Sequence, residues 1–343
     1  MSIAVGTIVR PNYLPFARVA AASLHRHHPE LRLVTVVVGE DADRHADEPF
    51  EVLGLDDLAI DDLRRWRFRY DPQQITVAAK PQLLRHMLAH HDAALFIDAD
   101  VLVLAPLSAL LSKVEHHAVV LSPHLTEPLA GAGDAERELN ILTSGVFNGG
   151  VIGVSGRPEG LRFLDWWQDR LRRDCRHARQ EGLHFDQTWL DLVPGLFRDV
   201  HVDRDPAFNV AHWNLPERLD ELRQGRAALL HFSGFRVDAP DTITRHSGRL
   251  EPADVGEARA VFDAYAAALT NAGAPVEDPG PEACTRFDNG IAISTAARAV
   301  YAGLDDHVAA GFGDPFETAP AGSFYRWLQA RHPECVGGRR STG

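Results

Sequence analysis

Two carboxylates, Asp98 and Asp100, interrupt the apolar run Leu-Phe-Ile-Asp-Ala-Asp-Val-Leu-Val-Leu over Leu95–Leu104. An ionised carboxylate in apolar surroundings costs on the order of several kcal/mol unless a cation or hydrogen-bond donors neutralise it. In an extended chain residues i and i+2 share a face, so both acids would project together while Ala99 faces away. Paired oxygen donors at a strand end suit a hard divalent cation that keeps positions open for phosphate oxygens. A surface turn with both acids in water is the alternative.

Further residues have usable chemistry. Lys80, in Lys80-Pro81-Gln82 near the start of a helix, could meet a diphosphate as a point charge; on this residue alone a snorkelling surface lysine is the favoured reading. In Ser144-Gly145-Val146-Phe147-Asn148-Gly149-Gly150 the paired glycines permit close backbone approach to a ligand, or a tight turn into a strand. Asn148 supplies both a donor and an acceptor. In His184-Phe185-Asp186-Gln187, Asp186 suits a helix N-cap. The neutral amide carbonyl of Gln187 could stabilise developing positive charge. His231, ending an apolar strand in His231-Phe232-Ser233-Gly234-Phe235, could offer an imidazole to a metal or serve as a structural histidine. The runs His25/His27/His28, His90/His91 and His116/His117 read as solvated faces.

The elements expected to position these groups alternate. Ile3–Val9 and Leu33–Val38 read as buried strands, with a helix capped by Asn12 between them. Helical spacing follows over Leu58–Arg67 and Ile75–His90, then the strand with the paired acids. Ala118–Leu121, Gly150–Val154 and Ala227–Phe232 read as strands and Leu161–Arg172 as a helix. This pattern predicts an α/β domain with a mostly parallel central sheet, whose ligands sit beyond the carboxyl ends of the strands. We place a boundary near residue 250: a domain over 1–250, then a helical C-terminal extension over 251–343. The extension contains Val255–Leu269, a Pro/Gly-rich connection, Ile291–Leu304, Ser323–Ala330 and a disordered end.

Composition narrows the class. The chain has 343 residues, 45% hydrophobic and 24% charged, as in soluble globular proteins. Its 35 basic and 48 acidic residues leave a net charge of −13, which argues against nucleic acid as a partner and against a broad anionic-membrane surface. No apolar run approaches the ~20 residues that span a bilayer, and the N-terminus reads as a first strand rather than a leader. Three cysteines without CxxC spacing fit a reducing cytoplasm.

Taken in order, the lysine helix, paired acids, Asn-Gly-Gly, Asp-Gln and His-Phe-Ser-Gly resemble the bacterial GT-A glycosyltransferases related to glycogenin and the lipooligosaccharide galactosyltransferases. Leu192–Phe197, Asn209–Leu215 and His231–Phe235 are similar to segments that recur in one bacterial group. The resemblance covers roughly residues 1–250 and implies a GT-A, Rossmann-like fold. It implies Asp98, Asp100 and His231 as ligands of Mn2+ or Mg2+, and Thr7 and Tyr13 beside the nucleobase. Lys80 would lie at phosphate, and Asn148, Gly149, Asp186 and Gln187 around the donor sugar, with Ala99 and Gly234 at the same nucleotide-sugar site. The position of Gln187 implies retention at the anomeric carbon. The chain departs from the pattern in the first nucleotide loop, Gly6–Arg10, which lacks the usual acid. The Lys-Pro-Trp that follows His-x-x-Gly is also missing; Phe235-Arg236-Val237 stands there, with Arg236 as a substitute charge.

The expected activity is therefore metal-dependent transfer of a sugar from a nucleotide-sugar, a UDP-sugar by preference, to an acceptor hydroxyl. The acceptor is left open among a saccharide, a lipid-linked saccharide, a peptide and a small molecule. Peripheral membrane association through the arginine-rich stretch 157–179 and the oligomeric state also stay open. One alternative is a haloacid-dehalogenase-like phosphohydrolase with Asp98 as nucleophile and Asp100 as acid/base, which would need a later lysine and a further acidic pair. Another is a non-catalytic saccharide- or nucleotide-binding subunit, with Trp166, Trp167, Trp189 and Trp213 stacking on sugars. No GxGxxG follows the first strand, which disfavours a dehydrogenase.

Overall fold

β-branched and apolar residues fill both faces of the first strands, so these must be covered on both sides. In β1 (Ile3–Val9), Ala4 and Ile8 point into one buried cluster while Val5 and Val9 point into another. The same alternation recurs in β4 (Ala93–Ile97), where Ala94 and Phe96 oppose Leu95 and Ile97. The structure is a computed structural model that describes residues 1–343 except 40–41, 130, 132–133, 249, 251, 275–282 and 337–343. The expected disordered end and most of the Pro/Gly-rich connection lie outside the described residues.

The remaining strands are β2 (Leu33–Val37), β3 (Glu51–Leu53), β5 (Val101–Val103), β6 (Val119–Pro123), β7 (Phe147–Ser155), β8 (His177–Ala178), β9 (Leu183–His184), β10 (Val200–Val202), β11 (Val210–Ala211) and β12 (Leu229–His231). The main sheet has the order β10-β6-β7-β4-β1-β2-β3. It is parallel throughout except for β7, which runs against both β4 and β6. Helices Leu14–His27, Lys80–Leu88, Ser108–His116 and Pro158–Leu171 flank it. The α/β architecture with a mostly parallel sheet is thus the one expected.

Several local expectations change. The acids do not sit in one extended strand: β4 ends at Ile97, the chain turns, and β5 begins at Val101 in a second, three-stranded sheet of order β11-β12-β5. Asn12 lies in a short 3-10 turn, and the cap position of the first helix is Tyr13, so no Asn12 side-chain cap forms. The first helical stretch begins at Leu63, and the next breaks at Ala79 into Pro72–Ala78 and Lys80–Leu88, each opened by a proline in its first turn. The paired glycines lie inside β7, at a register shift against β6, rather than in a turn. His28 is buried, and its Nε2 accepts from the Leu107 amide.

Residues beyond 250 pack against both faces of the sheet. Helix Arg259–Asn271 brings Phe262, Tyr265 and Leu269 to the cluster that holds Val5. Phe287, Tyr301, Phe324 and Leu328 join the cluster that holds Ile8 and Phe68. Buried Arg298 donates to the carbonyls of Phe68 and Tyr70, at 2.8 and 2.6 Å. Among the described residues no helix is long and apolar enough to cross a membrane.

Candidate functional site

Strand pairing brings a distant imidazole to the acids. β12 runs antiparallel to β5 with His231 opposite Val101, and the Phe232 amide donates to the Asp100 carbonyl at 2.7 Å. His231 Nε2 therefore lies 3.1 Å from Asp100 Oδ1 and 3.7 Å from Asp98 Oδ2. The Asp98 amide is tied to the Gly150 carbonyl at 2.8 Å, which fixes the turn against β7.

Burial by itself would lower the His231 pKa, but the Asp100 carboxylate, its hydrogen bond and the Asp98 charge more than offset this and raise it. Asp100 is the converse: burial pushes its carboxyl up, and the imidazole holds it below the usual carboxylate range. Asp98 stays raised, because burial and the neighbouring acids Asp100 and Asp186 outweigh Lys80 and His231. The imidazole thus lowers both carboxyls, while the Asp100 charge adds to the rise of Asp98.

This donor set fits a divalent cation. The candidate ligand atoms of Asp98, Asp100 and His231 all lie within 4.8 Å of one another, and two carboxylates with an imidazole are a donor set for such an ion. The floor is cut for it: a Cβ on Gly150 would collide with Asp98 Oδ2 and lie 2.6 Å from His231 Cε1. Glycine is required here by what approaches it.

Lys80 does not snorkel. It is 2% exposed, and its Nζ donates to Asp186 Oδ2 and to the Gly149 carbonyl, both at 2.8 Å, with Asp98 Oδ1 at 3.8 Å. Burial works against the ammonium, yet Asp186 and Asp98 raise its pKa overall. Asp186 occupies the cap position before Gln187–Leu190, but its carboxylate makes no cap bond there and is spent on Lys80. Gln187 Oε1 accepts from Asn148 Nδ2 and the Gly149 amide, each at 2.9 Å, while its Nε2 donates to the Ser144 carbonyl at 3.0 Å. Asn148, Gly149, Asp186 and Gln187 thus form one hydrogen-bonded unit hung on Lys80. A Cβ on Gly149 would meet Asp186 Oδ2 at 2.6 Å.

These groups face a cavity of about 1570 Å³, whose wall includes Tyr13, Asp98, Ala99, Asp100, Asn148, Asp186, Gln187, His231 and Gly234. The volume exceeds the several hundred Å³ of a typical small-molecule pocket. Tyr13 stacks on Phe16 at 4.7 Å, and burial raises its phenol pKa, with the Asp100 charge adding to it. Thr7 is the exception: it is fully buried inside β1, registered beside Thr35, and the wall is formed instead by the strand's end, Ile8, Val9 and Arg10. Its Oγ1 is buried and has no hydrogen-bond partner among the described residues.

Sequence reasoning missed Arg245. Gly234 has φ +76°, and its missing Cβ lets the turn at Thr244–His246 close over it, with the Arg245 amide donating to the Gly234 carbonyl at 3.0 Å. Arg245 thereby lines the cavity, close enough to influence the Tyr13 phenol. Arg236, the expected substitute charge, is exposed and clasped by Asp238. No sequence signal marks Arg245, because the fold-back onto Gly234 that brings it to the cavity is a tertiary contact.

Neutral imidazoles ring the far side. Burial depresses His124 to about 4 and His212 to about 3, and both line the cavity. Trp213 lines it too, with its ring edge-on to His231 at 5.2 Å and to His124 at 4.9 Å. Trp167 is fully buried, while Trp166 and Trp189 pack around Phe163 and Phe197 away from the cavity wall.

No protein-family model matches the chain. It is similar to the uncharacterized protein YfnF of Bacillus subtilis (strain 168), 26% identical over 180 residues that make up 49% of this chain and 58% of YfnF. The chain thus spans less than two thirds of that relative's length. YfnD of the same organism is 21% identical over 232 residues, 63% of this chain and 72% of YfnD. Among solved structures, the glycosyltransferase GlyE of Streptococcus pneumoniae TIGR4 aligns at a TM-score of 0.46 and 13% identity, across 79% of this chain and 62% of GlyE. The galactosyltransferase LgtC, solved with donor and acceptor sugar analogs, aligns at 0.43 and 18%, across 79% of this chain and 96% of LgtC.

Proposed function

We propose that the chain is a divalent-cation-dependent glycosyltransferase of the GT-A kind, moving a sugar from a nucleotide-sugar to an acceptor hydroxyl. UDP is the preferred carrier, and the anomeric configuration is retained. The observation that carries this reading is the meeting of Asp98, Asp100 and His231 in the same cavity as the Asn148–Gln187–Asp186 unit.

When bound there, Mn2+ or Mg2+ supplies Lewis-acid neutralisation of a leaving diphosphate. The chain's own residues do the rest. Tyr13 offers an aromatic face for the base, and Arg245, which lines the same cavity near Tyr13, a cation for phosphate oxygens. Asn148, Gln187 and Asp186 present polar groups where the sugar would lie. The Gln187 carbonyl oxygen already accepts from Asn148 Nδ2 and the Gly149 amide, so beside the sugar it would act as a held dipole and not as a nucleophile.

Wider roles follow from this reading. Residues 1–250 form the transferase domain and 251–343 a helical extension that buttresses it. The acceptor is a saccharide, lipid-linked saccharide, peptide or small molecule, and the setting is cytoplasmic, consistent with Cys175, Cys284 and Cys335 as buried thiols. The phosphohydrolase alternative needed a lysine after Asp98. Lys80 precedes it and is held by Asp186, while Lys113 is held by Asp203 and Asp205.

The test is donor hydrolysis and transfer with a UDP-sugar panel, with and without Mn2+. Wild type should turn over only with the cation, and Asp100→Ala and His231→Ala should lose on the order of 100-fold or more. Undiminished turnover in both variants removes the assignment. Nucleotide binding without any product leaves the non-catalytic alternative standing.

A further inference from the structure

The segment Asn209-Val210-Ala211-His212-Trp213-Asn214-Leu215 holds no candidate ligand, yet it encloses the back of His231. Asn209 is 1% exposed and has φ +54°, a left-handed conformation that a non-glycine residue adopts at a cost. Asparagine tolerates that region better than most residues. Its position is held from both sides. Its carbonyl accepts from Asn214 Nδ2 at 3.2 Å, and the next residues form β11, registered with Ala211 opposite His231.

What this conformation achieves is one contact: Asn209 Oδ1 lies 3.2 Å from His231 Nδ1. An amide oxygen only accepts, so the imidazole must carry its proton on Nδ1 to make this bond. Nε2, the nitrogen facing Asp98 and Asp100, is then the one whose lone pair would go to a cation in place of its hydrogen bond to Asp100. The Asn209 Nδ2 has no hydrogen-bond partner among the described residues, although it is buried. A buried, half-satisfied amide on a strained backbone is poor design for stability alone.

We propose that Asn209 is a positioning residue for the metal site: it fixes the tautomer and the ring orientation of His231 so that Nε2 faces the acids. This rests on the metal site of the proposed function. It extends that site to an outer shell, whose loss typically weakens metal affinity about 10–100-fold.

The backbone and side-chain roles of Asn209 can be separated. Asn209→Gly keeps the left-handed conformation without strain but removes the acceptor. Asn209→Asp keeps the acceptor and tolerates the same backbone. Full-length wild type and both variants are titrated with Mn2+ by the electron paramagnetic resonance signal of the free ion, with and without saturating UDP. Melting temperatures in EDTA are measured alongside.

The inference expects Asn209→Gly to bind Mn2+ about 10–100-fold more weakly at an unchanged melting temperature, and Asn209→Asp to bind at least as tightly as wild type. Equal affinity in wild type and Asn209→Gly overturns it, since a purely conformational role would be satisfied by glycine. If Asn209→Gly does not fold, Asn209→Asp decides: weaker Mn2+ binding by that variant, folded, overturns the inference equally. Wild type that binds no Mn2+ in either condition overturns the metal site itself, a different failure from the preceding two.

Discussion

Lys80 Nζ sits 2.8 Å from Asp186 Oδ2, with both side chains almost sealed from solvent at 3% and 2% exposure. Removing one member of such a pair leaves an uncompensated buried charge, at a cost of about 3–5 kcal/mol. Lys80→Met should therefore lower the unfolding free energy by about that much, whereas Lys80→Met with Asp186→Asn should recover a large part. Denaturant unfolding of the two singles and the double closes the cycle. Strictly additive losses would show that the two charges are not coupled.

Gly150 lies in β7 at the register shift and outside the left-handed φ region, so alanine is compatible with its backbone. The added methyl would instead occupy the space between Asp98 and His231. Gly150→Ala should stay folded and lose Mn2+ binding by on the order of 100-fold, beyond the effect of an outer-shell change. Gly195→Ala, which meets nothing within 4 Å, is the control. Circular dichroism and a Mn2+ titration check both halves. Normal Mn2+ affinity in Gly150→Ala would place the cation elsewhere.

His124 is buried and neutral: its Nδ1 faces the Val146 carbonyl at 3.2 Å, and its pKa falls from 6.5 to about 4. Between those values the unfolded chain binds a proton that the folded chain refuses, so stability falls as pH drops through this window. One such group contributes a slope of up to about 1.4 kcal/mol per pH unit. His124→Asn keeps an N–H near the same carbonyl and does not titrate. Its stability, measured from pH 7 to 4, should decline less steeply than that of wild type; parallel curves would contradict the assignment.

Tyr13 and Arg245, far apart in sequence, line the same cavity. Losing an aromatic platform costs about 1–3 kcal/mol per stacked base, and losing a charge-assisted hydrogen bond about 1.5–3 kcal/mol. Either Tyr13→Ala or Arg245→Ala should weaken UDP binding roughly 10–100-fold by calorimetry. Only Arg245→Ala should also flatten its salt dependence. Wild-type affinity in Arg245→Ala would return the phosphate contact to another side chain.

The strands that carry the site were legible because their composition repeats what burial on both faces demands: Ile3–Val9 and Leu33–Val37 are apolar or β-branched at nearly every position. The convergence of His231 with Asp98 and Asp100 was visible only as an ordered set of motifs. No periodicity announces that β5 leaves the main sheet to pair with β12. The helix cap that Asp186 suits does not form, for a related reason. Its local sequence makes a good helix cap, but a buried ammonium arriving from Lys80 outcompetes a backbone amide for the carboxylate. Arg245 and Asn209 depend on return paths of the chain, and so on tertiary packing that spacing alone does not encode.

Ligand-dependent melting tests the central claim most directly, because whatever binds the folded state alone raises its apparent stability. Wild type, Asp98→Asn, Asp100→Ala and His231→Ala are melted with UDP, GDP, TDP, ADP and CDP, each with and without Mn2+. We predict that one nucleoside diphosphate, UDP, raises the wild-type melting temperature only when Mn2+ is present, and that all three variants lose this increment. A shift that is the same without Mn2+, or one that survives in Asp100→Ala and His231→Ala, would contradict the joint grip of the two acids and the imidazole.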